Sequence, residues 1–216
     1  KNFKKIVRIC LANGWLKVDP FANYRMSLRK VDRGFLTEEE LAILQRKELP
    51  HARLSVVRDI FLFGCMTGLA YSDLKKITYD NLVKGDDGKL WIHVNRTKTD
   101  NPSHIPLLPL AASIVDKYRN HPFCSEKQLL LPVSSNQKLN AYLKEIAAIC
   151  GIQKELTTHI ARHTFATTVT LNNDIPIETV SKMLGHSSIN MTRIYARLLD
   201  KKVSSDMDKL FQKYES

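Results

Sequence analysis

The sequence predicts a mainly α-helical fold carrying one small three-stranded antiparallel β-sheet. Three observations predict it. Apolar residues recur at helical spacing over most of the 216 positions. In one stretch, 81–108, they alternate instead, with Leu90, Ile92 and Val94 between Trp91, His93 and Asn95. Turn-forming residues, Gly85-Asp86-Asp87-Gly88 and Thr99-Asp100-Asn101-Pro102-Ser103, divide that stretch into three.

The elements follow in order. Ile6, Cys10, Leu11 and Trp15 mark a first helix, which Gly14, Asp19-Pro20 and a polar run to Gly34 interrupt, so a linker is expected there. Thr37 with Glu40 three residues on is a capping box, and Leu41 and Leu44 continue the helix that it starts. Val56, Val57, Ile60, Phe61 and Phe63 predict a further helix from about residue 52, ending at the uncharged Thr67-Gly68-Leu69. A short helix is expected at 72–77. The three strands come next, the last at His104-Ile105-Pro106-Leu107-Leu108. The remainder reads as helices near 109–119, 137–149, 158–171, 176–184, 189–199 and 203–213.

Composition narrows the function. A chain of this length buries a core without disulfide staples. Cys10, Cys65, Cys124 and Cys150 form no C-x-x-C pair, which points to reduced thiols rather than a zinc ribbon. The longest uncharged run, Ile60 to Ser72, is far shorter than the roughly 20 residues of a membrane span, so no membrane partner is expected. The chain begins without Met, reads as a fragment and shows no secretory leader, and a cytoplasmic, nucleoid-associated location is expected. The formal charge is +11, of which residues 1–33 carry +7. A polyanion such as nucleic acid fits that segment, because each cation that meets a phosphate releases a counterion; a solvated basic tail fits it too.

Three C-terminal segments carry candidate chemistry: Thr158-His159-Ile160-Ala161-Arg162-His163, Leu184-Gly185-His186-Ser187-Ser188 and Arg193-Ile194-Tyr195. Helical spacing puts His159, Arg162 and His163 on one face, with Ala161, Phe165 and Val169 towards the core. Gly185 suits a left-handed residue that ends a helix, with His186 just beyond it. One phenol, two imidazoles and a guanidinium could therefore meet. His159 and His163 could alternatively bind zinc, but the Ile-Ala-Arg between them lacks the Glu of a metalloprotease, and Arg162 would repel the cation.

These segments, together with Leu36-Thr37 and Glu39-Glu40, Thr67-Gly68-Leu69 and Thr97-Lys98-Thr99, occur in the order found in the tyrosine recombinases, or phage integrases, whose catalytic domain residues 35–200 resemble. The resemblance implies a DNA strand transferase that stores each broken bond as a 3′-phosphotyrosine and needs no cofactor, metal or ATP. Tyr195 would be the nucleophile, Arg162, His159 and His186 phosphate donors, and Lys98 the acid for the leaving 5′ oxygen. Residues 1–34 would be the end of an N-terminal core-binding domain with its linker, and 201–216 a tail helix docking in cis or in trans. Implied partners are double-stranded DNA attachment sites, a homotetramer on DNA and accessory DNA-bending proteins. A mobile-element integrase and a chromosome-resolving recombinase both fit.

One position departs from the pattern. The arginine that follows Thr-Gly-Leu in the family is Ala70 here. Arg58, twelve residues upstream, lies too far along its helix to compensate. Arg96 shares a strand face with Leu90, Ile92 and Val94, and with Lys98 if the strand continues, so it is the expected substitute. Asp73 matches an acidic family position that orients neighbouring donors, and equally fits a helix cap. Two rivals remain at this stage: a DNA-binding relative that has lost strand transfer, and a metal-dependent hydrolase built on His159 and His163 and sensitive to EDTA.

Overall fold

The structure is a computed structural model and describes residues 2–24, 34–196, 207, 208, 211, 213 and 214. The chain divides into two compact units, 1–33 and 34–216. In the first, α1 (Asn2–Ala12) buries Val7 and leaves Ile6 exposed. Phe3 meets Phe21 edge-on, and Lys4 lies over the Phe21 and Tyr24 rings.

The second unit forms around α3 (Ala52–Thr67). From Ile60 to Phe63 this helix is apolar on every side, a pattern that suits a helix surrounded by others. It packs against α2 (Glu38–Arg46), α5 (Pro109–Tyr118), α7 (Asn136–Cys150) and α8 (Thr158–Thr164). The Thr37 capping box is present: Glu40 N donates to Thr37 Oγ1 at 3.2 Å, and Thr37 N to Glu40 Oε2 at 2.8 Å. After the short α4 (Tyr71–Leu74) come β1 (Leu82–Lys84), β2 (Leu90–Asn95) and β3 (Pro102–Pro106), antiparallel in that order, with Ile92 opposite both Leu82 and Ile105. A helix not anticipated, α6 (Pro122–Lys127), follows α5. It is too short for a periodic signal.

Three expectations change. β2 stops at Asn95, because Thr99 N and Asp100 N both donate to the Arg96 carbonyl and curl the chain into a turn, so Lys98 does not share a strand face with Arg96. The helix expected over 158–171 is α-helical only to Thr164; Phe165–Thr170 widens into a π-helix and Leu171–Asn173 tightens into a 3₁₀ turn. Thr170 Oγ1 donates to the Phe165 and Ala166 carbonyls at 3.0 and 2.8 Å, supplying a partner within the widened turn. Last, the helix expected over 189–199 is a 3₁₀ turn, Ile189–Met191, continued by turns to Tyr195. Thr192, Tyr195 and Ala196 each donate to a carbonyl three residues back. The helix before it, α9 (Ile177–Met183), packs on β3. Residues 197–199, and the expected tail helix apart from Met207, Asp208, Phe211, Lys213 and Tyr214, lie outside the described residues.

Candidate active site

Two helix ends build the site. α3 ends at Gly68, whose φ of +68° is left-handed, and the Gly68 carbonyl accepts from Arg162 Nη1 at 2.6 Å. α9 ends in a Schellman turn: Gly185, at φ +59°, donates to the Lys182 carbonyl at 3.0 Å and His186 N to the Ser181 carbonyl at 3.1 Å. That turn leaves three later carbonyls to side chains. Ser103 Oγ donates to Met183 O, Asn101 Nδ2 to Gly185 O at 3.2 Å, and both Arg162 Nη2 (2.7 Å) and Arg96 Nη1 (3.2 Å) to Leu184 O. Two guanidiniums thus converge on one carbonyl at the negative end of a helix, where cations are favoured.

The rings complete it. His186 Nε2 lies 3.0 Å from Arg162 Nη2, and its Nδ1 lies 2.8 Å from Thr192 Oγ1. The Tyr195 ring stacks parallel to His186 with centroids 6.1 Å apart and meets His163 edge-on at 4.7 Å. The phenol lies close enough to the Arg162 guanidinium for their charges to interact. His163 Nε2 is 3.1 Å from His159 Nε2, so the imidazoles, phenol and guanidinium form a continuous chain. Burial, and next the Arg96 charge, lower Arg162 to about 10, which leaves it a cation at neutral pH. Burial, followed by the Arg162 and Arg96 charges, holds His186 down at about 4, which leaves it neutral.

Arg96 is steadied by Asp73, whose Oδ2 is 3.6 Å from Arg96 Nε. Asp73 Oδ1 accepts from Thr97 N at 2.9 Å, so this buried carboxylate ties the start of the β2–β3 turn to α4. Asp73 does not cap α4, whose N-cap is Ala70; its carboxylate meets Arg96 and Thr97 instead. The structure therefore brings together Tyr195, Arg162, His186, His163, His159, Arg96 and Asp73. It leaves Lys98 exposed on the turn that Arg96 begins. Sequence reasoning missed Thr192 and the two accepting carbonyls. A carbonyl has no signature in sequence, and a threonine three residues before a tyrosine has a weak one. Among the described residues no group of three or more His, Cys, Asp or Glu could hold a metal ion, so His159 and His163 stand as a pair without a third ligand of these types. Among those residues, too, no helix is long and apolar enough to cross a membrane.

The family model described as Phage integrase family matches residues 35–202. A tyrosine recombinase of Agathobacter rectalis is 38% identical over 95 residues, 44% of this chain and 29% of its own length. The tyrosine recombinase XerD of Lacticaseibacillus casei is 29% identical over 210 residues, 90% of this chain and 69% of its own. The chain spans between 29% and 69% of the lengths of the curated relatives it matches. A lambda integrase tetramer bound to a Holliday junction shares the fold, with a TM-score of 0.69 at 21% identity over 89% of this chain and 57% of the other.

Proposed function

Because this chain belongs to the phage integrase family, the tyrosine recombinases, we propose that it breaks and rejoins DNA strands at specific sites through a covalent phosphotyrosine, as the integrase of a mobile element. One observation carries the reading: a buried phenol stacks on an imidazole that bonds a buried guanidinium, with a second guanidinium on the same carbonyl. Tyr195 Oη attacks the scissile phosphorus as its proton passes to the imidazole pair beside it, through His163 to His159. The P–O bond to the 5′ oxygen breaks, and that oxygen leaves with a proton from Lys98. Negative charge on the nonbridging oxygens meets Arg162, Arg96 and His159, while His186, whose Nε2 accepts from Arg162, holds that guanidinium in place rather than donating to the phosphate itself. Arg162 brings the planar fork that a lysine lacks.

Arg96 takes the place of the arginine missing at Ala70, supported by its bond to the same Leu184 carbonyl that Arg162 uses. Ala70 itself favours a second reading, a DNA-binding relative without strand transfer. The partners proposed are attachment-site duplexes and further copies of the chain, in the tetramer that lambda integrase adopts on its junction. Accessory DNA-bending proteins belong to the same proposal, as do residues 1–34 as the end of a core-binding domain. The compartment proposed is the cytoplasm, where the nucleoid lies.

Nicked duplexes carrying candidate attachment sites test both readings. A covalent adduct mapped to Tyr195 by mass spectrometry is expected, absent in Tyr195→Phe and unchanged by EDTA. Arg162→Ala abolishes it, and Arg96→Ala slows it by about 100-fold, the usual cost of losing one transition-state donor. Full-rate cleavage by Arg96→Ala removes Arg96 from the site; DNA binding without any adduct selects the second reading.

A further inference from the structure

We propose that Thr192 is a positioning residue for strand cleavage: its hydroxyl oxygen accepts the Nδ1 proton of His186 and so fixes the ring in the tautomer that presents a bare Nε2 to the Arg162 guanidinium. The inference rests on the recombinase reading above and deepens it.

A guanidinium carries only donors, so Arg162 Nη2, 3.0 Å from His186 Nε2, requires a lone pair on that nitrogen. A neutral imidazole has one proton, which must then sit on Nδ1, 2.8 Å from Thr192 Oγ1. The low proton affinity that burial and the Arg162 and Arg96 charges impose on His186 agrees with a ring that carries no second proton. The tautomer of a histidine is set by the bond that its other nitrogen makes. Here that partner is a wholly buried hydroxyl. Without it the Nδ1 proton loses its acceptor, and moving that proton to Nε2 turns an N–H against the N–H of Arg162.

Thr192 also holds the nucleophile's turn. Its N–H donates to the Ile189 carbonyl, and its carbonyl accepts from Tyr195 N, both at 2.9 Å. One residue therefore sets the imidazole's polarity with its side chain and carries the phenol's turn with its backbone. A substitution that keeps the backbone and removes the hydroxyl separates the two tasks.

Histidine-labelled full chain, read by nitrogen NMR without DNA and assigned with His186→Gln, shows where the proton lies. Wild type and Thr192→Ser are expected to carry it on Nδ1. Thr192→Val, and Thr192→Ala should the valine chain not fold, lose that signature. They form the Tyr195 adduct about 10–100-fold more slowly, the range for lost outer partners of functional imidazoles, with DNA affinity unchanged, while serine restores the rate. Nε2 protonation in the wild type overturns the inference alone, as does a valine chain cleaving at full rate or a serine chain as slow as valine. An Nδ1 proton in place with no adduct from any chain overturns the recombinase reading, and the positioning role with it.

Discussion

Arg162 keeps its charge at 5% exposure because two carbonyls and an imidazole nitrogen stand in for water. None of these partners is anionic. The nearest carboxylate, Asp73, pairs with Arg96 instead, so two guanidiniums share one carboxylate and the cluster carries an excess of positive charge suited to an anion. His186 stays neutral for the same reason, and that has a cost in acid. Its proton affinity falls from an ordinary value near about 6.5 to about 4 on folding, so between those values the unfolded chain binds more protons than the folded one. Stability is complete above about pH 6.5 and declines as pH drops towards 4. Urea midpoints across that window are expected to fall less steeply for His186→Gln than for the wild type. His104, lowered by burial, contributes the same slope to both chains, so parallel curves would remove His186 from the account. At this scale much was legible: Tyr195, Arg162, His159 and His186 stand in short segments whose residue types state their chemistry. What they hold on to was not, because Leu184 O and Gly68 O are backbone atoms whose role depends on where two helices end.

Those helix ends are the second scale. Gly68 is left-handed where α3 stops, and a Cβ there would lie 2.4 Å from Phe165 Cδ1 and 2.9 Å from Leu184 Cδ2. Phe165 and Leu184 are both buried, so neither ring nor branch can swing aside into solvent. Gly68→Ala is therefore expected to cost roughly 2–5 kcal/mol, a left-handed Cβ penalty of about 1–2 with an overpacking penalty of about 1–3. It should also weaken adduct formation, since the displaced carbonyl is an anchor of Arg162. A urea midpoint equal to the wild type's would show that the two helices yield to the methyl group. Helix boundaries were legible where a residue type marks them: the Thr37 capping box starts α2, and Gly68 and Gly185 end α3 and α9. The π-helix after Thr164 was not legible, because the extra residue per turn shifts the register without changing the apolar composition, and Phe165 and Ala166 stay buried in either geometry. The segment to Tyr195 misled as well. A helix was expected over 189–199, yet Met191 and Ile194 are exposed and the chain turns mostly by bonds to the carbonyl three residues back.

At the scale of the whole chain, charge is the informative quantity. Residues 1–33 hold +7 of the formal +11, and on α1 Lys5 and Arg8 are exposed, as is Lys17 beyond it. Two origins of this excess make different forecasts. If the segment follows a DNA backbone, each of its cations releases a counterion on binding, and the slope of log affinity against log salt changes by about 0.9 per cation. If it is only a solvated tail, its charges leave that slope alone. Replacing Lys5, Arg8 and Lys17 together by glutamine removes three charges, and glutamine sustains a helix about as well as lysine or arginine does. Lys4 is left in place because its ammonium rests on the Phe21 and Tyr24 rings, so its removal would disturb packing as well as charge. Duplex binding measured over a range of salt concentrations is expected to show the slope of the triple variant shallower by about 2–3 than that of the wild type. Saturated with DNA, the variant should form the Tyr195 adduct at the wild-type rate, since none of the three residues belongs to the cluster around Arg162. An unchanged slope assigns the basic segment to solvent, and a slower adduct at saturation gives the first unit a part in the chemistry.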